Sequence, residues 1–169
     1  IVTRHFEDQD TLLTLLDFEA LWLCMAEYNG LGFYNGGREA GASQQHKHLQ
    51  MVPLPLAPAG PAVPIAPLLP GPGSTTAAGT IPAFSFLHSF VRLRPDIVDR
   101  PREAAIETFE HYAAMLKSVG METPGASILP RQSLPYCLLI TRQWMLLVPR
   151  RREHFEDISL NSLAYAGSF

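Results

Sequence analysis

The chain has 169 residues, of which 47% are hydrophobic and 17% are charged. That composition is typical of one globular domain and excludes a disordered chain. The formal net charge of −3 gives no general attraction to nucleic acid or to an anionic membrane, so the positive charges that bind an anionic substrate must be local.

The cysteine pattern indicates a reducing compartment. Cys24 and Cys137 lie far apart and form no CxxC pair, so we expect a cytoplasmic protein without a disulfide framework. No signal peptide is visible, and the most apolar helical stretch, 12–26, is too short to span a bilayer. The chain opens without Met and stops without a cap, so we expect a single catalytic domain over 1–169 that is incomplete at both ends.

The first predicted helix spans residues 10–28. Asp10 is a suitable N-cap, and Asn29 and Gly30 supply a left-handed stop. The apolar residues of this segment cover more than one helical face, which predicts a well-buried helix.

Two short strands, 31–34 and 46–52, follow this helix in the prediction. The next segment, 53–82, holds nine of the 15 prolines and a glycine-rich stretch. It is predicted to be a long loop that is partly polyproline-like and mobile near the glycines.

The second half of the chain begins with a weakly alternating segment, 84–93, which is predicted to be a strand. A helix is expected from 101 to about 119, with Gly120 at its exit. Segments 136–141 and 144–148 flank a tight two-residue connection and indicate an antiparallel hairpin. Helices mixed with antiparallel strands predict an α+β domain.

The strand at 46–52 carries the candidate chemistry. Side chains alternate along a strand, so His46, His48 and Gln50 share one face. An imidazole is a good phosphorus nucleophile near neutral pH, provided that its second nitrogen is held as a donor by a carbonyl or another side chain. Gln50 can donate to a phosphoryl oxygen but cannot deliver a proton, which favours leaving groups such as a polyphosphate.

The loop before this strand has the composition of a phosphate-binding loop. Gly41, Ala42 and Ser43 are small and allow a ligand to approach the backbone, whose N–H groups suit phosphate. Two other interpretations of the histidine pair, neither of which involves a nucleophile, stay open at this point. A pair of histidines on one strand face can bind a metal together with a third ligand, or the two can be ordinary surface residues.

The extended pattern resembles a known family. Its first part is Asn35-x-Gly37 followed by Gly41-Ala42-Ser43-Gln44-x-His46-x-His48-x-Gln50. Its second part is Thr141-Arg142-x-Trp144-Met145, Val148-Pro149-Arg150, Asn161-Ser162-Leu163 and Ala166-Gly167-Ser168. Both parts resemble the ATP adenylyltransferases, also called diadenosine tetraphosphate phosphorylases, in the branch of the histidine triad superfamily that includes galactose-1-phosphate uridylyltransferase.

The resemblance implies a histidine-triad-like antiparallel sheet with packed helices. It also implies that His48 is the nucleophile and that His46 supports its orientation. Gln50 matches the position where the hydrolases have a third histidine, and Asn35 and Ser43 match residues close to the nucleotide phosphates. The implied reaction is diadenosine tetraphosphate plus phosphate giving ATP plus ADP, through an AMP–histidine intermediate.

The implied partners are a dinucleoside polyphosphate and inorganic phosphate, or ADP and ATP in reverse, without nucleic acid or membrane. No tightly bound cofactor or protein metal site is expected, although Mg²⁺ can arrive with the polyphosphate. Arg150, favoured by its motif position over Arg151 and Arg152, is a candidate phosphate clamp. Three alternatives remain: a transferase that uses a nucleotide sugar or adenylyl sulfate, a non-catalytic nucleotide-binding module, and a metal-dependent hydrolase.

Overall fold

The computed structural model describes residues 1–71, 77–94, 96–121 and 130–168. The helices are α1 (Leu15–Glu27), α2 (Pro101–Ser118) and α3 (Ser162–Tyr165). The strands are β1 (Gly30–Gly36), β2 (Gln50–Pro53), β3 (Ser89–Arg92), β4 (Tyr136–Ile140), β5 (Trp144–Pro149), β6 (His154–Phe155) and β7 (Ile158–Ser159). Short 3-10 turns lie at Arg38–Ala40, Ala66–Leu68 and Ile97–Asp99.

Five strands form one antiparallel sheet in the order β2-β1-β4-β5-β3. The central strands are buried along nearly their whole length because both faces of the sheet are covered. The helices α1 and α2 pack on one face, where Phe18, Trp22 and Tyr112 belong to the larger apolar core. The α+β prediction and the hairpin of β4 and β5 are therefore confirmed.

The second face of the sheet is covered by the proline-rich segment. Val63, Ile65, Leu69 and Ile81 are buried there against strand residues, in a second apolar core. The described part of the segment is thus a loop with one 3-10 turn, and it packs against the sheet. The predicted mobility near the glycines falls mainly on 72–76, which lie outside the described residues.

The predicted start of the first helix and its predicted stop signal are wrong, although the helix ends at Glu27, only one residue before the expected boundary. The N-cap is Thr14, whose backbone N–H donates to Asp17 Oδ2 at 2.7 Å in a capping box. The other end has no left-handed stop, since Tyr28 is extended and Gly30 already begins β1. The helix also buries one face only, and Leu16 and Leu23 on the other side are 72% and 60% exposed.

The second helix agrees closely with its prediction. It spans Pro101–Ser118, and Gly120 follows its C-cap with φ of +77°, a conformation that favours glycine. The two other predicted strands are shorter than expected, because 84–93 pairs only at Ser89–Arg92 and 46–52 pairs with β1 only from Gln50. Within the described ranges, no helix is long and apolar enough to cross a membrane.

Candidate active site

The segment 46–49 is extended but leaves the sheet, and the N-terminal segment holds it. Val2 forms a single β-bridge with His48, and Asp8 forms another with His46. The expected alternation of faces is present in this segment. Lys47 and Leu49 are buried, whereas His46 and His48 are partly accessible and Gln50 is exposed.

The His48 ring has one nitrogen engaged by the backbone. Its Nδ1 lies 2.9 Å from the carbonyl oxygen of His46. A carbonyl can only accept a hydrogen bond, so Nδ1 carries a proton, and in the neutral imidazole the lone pair then lies on Nε2. The tautomer with an available Nε2 is the one that a phosphorus nucleophile needs.

His46 contributes to this arrangement through its main chain. Its own ring faces the N-terminal segment, with Nε2 at 2.9 Å from Thr3 Oγ1 and 3.2 Å from the His5 carbonyl oxygen. The Phe6 ring packs against the imidazole of His46, with centroids 5.4 Å apart. The ring of His46 therefore joins the strand to the N-terminal segment, while its carbonyl orients His48.

Buried ion pairs support the strand from behind. Lys47 Nζ lies 2.8 Å from Asp17 Oδ2 and 3.1 Å from Glu7 Oε2, and it also donates to the Leu12 carbonyl oxygen at 3.0 Å. A buried ammonium is tolerated only when it is paired in this way. Lys47 thus fastens the back of the strand to α1 and to the N-terminal segment.

The loop of small residues is folded into a tight turn, and this corrects one expectation. The N–H groups of Gly41 and Ala42 donate to the carbonyl oxygens of Arg38 (2.8 Å) and Gly37 (3.3 Å). They are therefore not the free donors that we predicted for phosphate. Gly41 has φ of +86°, and a Cβ there would approach Asn161 Cβ to 2.8 Å, so close packing also requires glycine. The exposed Ser43 follows the turn.

A cavity of about 640 Å³ lies between this loop and the N-terminal segment. Its lining includes Arg38, Ser43, Gln9 and the carboxylates of Asp8 and Asp10. Arg131, outside the lining, pairs with both carboxylates. The charge of these two aspartates is thereby partly neutralised, and Glu153 is a third acidic residue in the lining. His48 and Gln50 lie outside this lining.

Asn35 joins the two sequence motifs. It is buried in β1, and its Oδ1 accepts hydrogen bonds from the backbone N–H (2.9 Å) and the Oγ (2.6 Å) of Ser162. The first motif therefore holds the second by a contact between residues that are 127 positions apart. This contact gives Asn35 a scaffold role, and its expected proximity to phosphate remains a prediction.

Arg150 is buried, and its donors are engaged by the backbone. Its guanidinium donates to the carbonyl oxygens of Leu160 (2.9 Å), Arg152 (2.7 Å) and Glu153 (3.0 Å). It also lies over the Tyr165 ring, 5.3 Å from the centroid. The geometry favours a clamp on the segment after β5 over the polyphosphate contact that we expected. Arg151 and Arg152 are exposed.

Two further observations limit the chemistry of the site. Burial raises the pKa of the Cys137 thiol, next to Arg150, so this cysteine is not an activated nucleophile. Within the described part of the chain, no three His, Cys, Asp or Glu side chains are grouped so that they could hold a metal ion.

Sequence reasoning missed Gln9. This residue is 4% exposed, and its side-chain amide contacts both β1 and the backbone of His48. It stands in an acidic, polar stretch with no periodic pattern, and its partner in the site is 39 positions away. Only the tertiary structure shows that contact.

Family models match both halves of the chain. The model described as the Ap4A phosphorylase N-terminal domain matches residues 1–71, and that of the ATP adenylyltransferase C-terminal domain matches 82–169. Strands from both regions form the five-stranded sheet. A curated relative is diadenosine 5',5'''-P1,P4-tetraphosphate phosphorylase 2 of Saccharomyces cerevisiae, 26% identical over 188 residues. The alignment covers 99% of this chain and 56% of the relative, so the chain spans about half the length of that protein.

Solved structures share the fold. The crystal structure of yeast Ap4A phosphorylase Apa2 matches with a TM-score of 0.72 at 23% identity, and its complex with AMP with 0.73 at 22%. The complex of that protein with Ap4A matches with a TM-score of 0.70 at 20% identity. These alignments cover 99% of this chain and 57%, 57% and 58% of the respective yeast chains. The likeness agrees with the α+β architecture.

Proposed function

The chain belongs to the Ap4A phosphorylase and ATP adenylyltransferase family, and from this premise we propose that it transfers an adenylyl group between phosphates. The substrate is diadenosine tetraphosphate, which inorganic phosphate converts to ATP and ADP. One observation carries the proposal: the His46 carbonyl fixes the proton of His48 on Nδ1 and leaves Nε2 free to attack.

The reaction proceeds in two displacements. Nε2 of His48 attacks the α-phosphorus, a P–N bond forms and ATP leaves with the electrons of the broken P–O bond. Inorganic phosphate then attacks the AMP–His48 phosphorus, the P–N bond breaks and ADP is released. Because polyphosphate is a good leaving group, the first step needs no general acid.

Gln50 and Ser43 are proposed to contact the phosphoryl oxygens. Gln50 is exposed two positions after His48, on the same side of the strand, and Ser43 is an exposed residue of the cavity lining. Donors placed where charge develops stabilise such a transition state. Mg²⁺, where it takes part, is proposed to enter with the polyphosphate, and the cytoplasm is the proposed setting because Cys24 and Cys137 are unpaired.

Covalent labelling tests the proposal. The full-length protein is incubated with adenine-labelled diadenosine tetraphosphate without phosphate and then denatured. We expect one AMP per chain on the wild type and none on His48→Ala, with turnover lower by several orders of magnitude because the covalent nucleophile is lost. His154→Ala is the matched control, since this exposed histidine lies in β6.

The same assay separates the alternatives. Labelling from a nucleotide sugar or adenylyl sulfate, but not from diadenosine tetraphosphate, would identify a different donor. Binding of diadenosine tetraphosphate without labelling or turnover would indicate a nucleotide-binding module. Normal turnover by His48→Ala would refute the nucleophile.

A further inference from the structure

Gln9 occupies a place in the sheet where a backbone hydrogen bond is expected. The pairing of β1 with β2 runs from Gly30 opposite Pro53 to Phe33 opposite Gln50. Continuing this register by two residues would place Asn35 opposite His48. In an antiparallel ladder, hydrogen-bonded pairs alternate with non-hydrogen-bonded pairs.

The phase of that alternation makes this pair a hydrogen-bonded one. The Leu54 N–H donates to the Asn29 carbonyl oxygen at 3.1 Å, just beyond the end of the ladder. Every second pair from there is of the same type, and the Asn35–His48 pair is among them. A regular sheet would therefore join the His48 N–H directly to the Asn35 carbonyl.

The structure puts the Gln9 amide between these two groups instead. The His48 N–H donates to Gln9 Oε1 at 2.8 Å, and Gln9 Nε2 donates to the Asn35 carbonyl oxygen at 2.9 Å. The same Nε2 lies 3.2 Å from the His48 carbonyl oxygen. One side chain thus takes the place of the missing ladder bond and stands between the two strands.

Gln9 is itself held rigidly. Its N–H donates to the Gln45 carbonyl oxygen at 2.8 Å, and its carbonyl oxygen accepts from Tyr34 Oη at 2.5 Å. A side chain that is both buried and anchored in this way can fix the backbone of a reacting residue to a fraction of an ångström.

We propose that Gln9 is a positioning residue that opens the sheet at His48 and sets where, and in which tautomer, its imidazole is presented. The proposal rests on the proposed role of His48 for its catalytic meaning. Its structural content is independent of that role: the Gln9 amide fixes the His48 backbone, and the fixed backbone brings Nδ1 to the His46 carbonyl. Because its amide donors are already engaged, Gln9 acts through His48 and not on the substrate.

The test compares Gln9→Met, which keeps the volume and removes the hydrogen bonds, with Gln9→Glu, which keeps the acceptor and replaces the donors. Thr108→Val is the matched control. It removes a buried hydrogen bond from Trp22 (2.9 Å) on the helical side of the sheet, so it lowers stability without touching this network. All variants are made and measured in the full-length protein.

The first readout is AMP labelling from diadenosine tetraphosphate under single-turnover conditions. We expect Gln9→Met to slow labelling about 100-fold, the scale for displacing a reacting group by about 1 Å, with less than a threefold change in the affinity for the dinucleotide. The labelling rate of Gln9→Glu should lie between those of Gln9→Met and the wild type, and Thr108→Val should be labelled at the wild-type rate. Unchanged labelling in both Gln9 variants, or a loss confined to affinity, would overturn the proposal.

The second readout is the ¹⁵N spectrum of the His48 ring, identified by its absence in His48→Ala. The wild type should show one tautomer with the proton on Nδ1, and both Gln9 variants should show a mixture. A single unchanged tautomer in the variants would contradict the positioning role. If the wild type binds no AMP covalently, the proposed function fails, and this spectrum still decides whether Gln9 positions the ring.

Discussion

Gln50 is the residue that distinguishes transfer from hydrolysis in the proposed mechanism. It lies on the accessible side of the strand, two residues after His48. A glutamine amide can donate to a phosphoryl oxygen but has no proton to exchange near neutral pH. The AMP–His48 intermediate should therefore persist until phosphate arrives.

We expect Gln50→His to raise the ratio of AMP to ADP among the products at a fixed, limiting phosphate concentration. A histidine at this position can act as a general acid or base and activate water. Gln50→Ala should slow labelling by about 100-fold, because one donor to the phosphoryl group is lost. Product partitioning is measured by chromatography. If Gln50→His makes ADP without extra AMP, the surrounding loop and not Gln50 excludes water.

Arg150 acts at the level of secondary-structure elements, because it holds a strand to the segment that follows it. Its guanidinium ties the end of β5 to the segment 152–160. That segment leads directly to Ser162, which holds Asn35. Arg150 therefore supports the candidate site from a distance, through backbone carbonyls.

We expect Arg150→Ala to lower the free energy of unfolding by about 1.5–3 kcal/mol, the contribution of one hydrogen bond to a charged group, because three partly buried carbonyl oxygens lose their donor. Arg151→Ala is the control and should change stability by less than about 0.5 kcal/mol, since this side chain is exposed. Urea denaturation measures both. If Arg150→Ala unfolds like the wild type but binds diadenosine tetraphosphate weakly, the result would instead support the hypothesis that Arg150 contacts the polyphosphate.

Elements with complete local signals were predictable from the sequence. The helix α2 has proline at its start and Gly120 after its end, and the β4–β5 hairpin has two apolar runs around a tight connection. The start of α1 was not predictable in the same way, because Asp10 and Thr14 are both good N-cap residues. The capping box between Thr14 and Asp17 decides between them.

The candidate site was only partly predictable for a related reason. Alternation along a strand places His48 and Gln50 on one face, and this is a local property. The contacts of Gln9 with His48 and of Asn35 with Ser162 join distant parts of the chain. The engaged N–H groups of Gly41 and Ala42 depend on a turn whose geometry the residue types alone do not fix.

At the scale of the whole molecule, three buried tyrosines make stability sensitive to alkaline pH. Tyr112 and Tyr136 share a hydrogen bond of 2.5 Å between their hydroxyl groups, and the hydroxyl of Tyr34 donates to two backbone carbonyls. Burial raises the pKa of each of these tyrosines in the folded state. The unfolded chain releases the same protons near the ordinary pKa of about 10.

We therefore expect stability to fall as the pH rises above about 10, since the unfolded state then binds fewer protons than the folded state. Each tyrosine contributes a slope of up to about 1.4 kcal/mol per pH unit until its folded pKa is reached. Urea unfolding at a series of pH values measures the slope, and Tyr112→Phe should reduce the slope by the contribution of one tyrosine. A flat profile between pH 10 and 11 would show that these hydroxyl groups ionise without unfolding.

The contact between Asn35 and Ser162 also sets a minimum time before the fold can be completed during translation. Ser162 is translated 127 residues after Asn35, which corresponds to about 6–25 s at ordinary rates of elongation. For most of that interval β1 lacks its neighbour β4, which is translated only shortly before Ser162, so the nascent chain presents an unpaired strand edge on which aggregation can begin. The ribosome-bound chain, more than the finished protein, is therefore the form in which chaperones have most to protect.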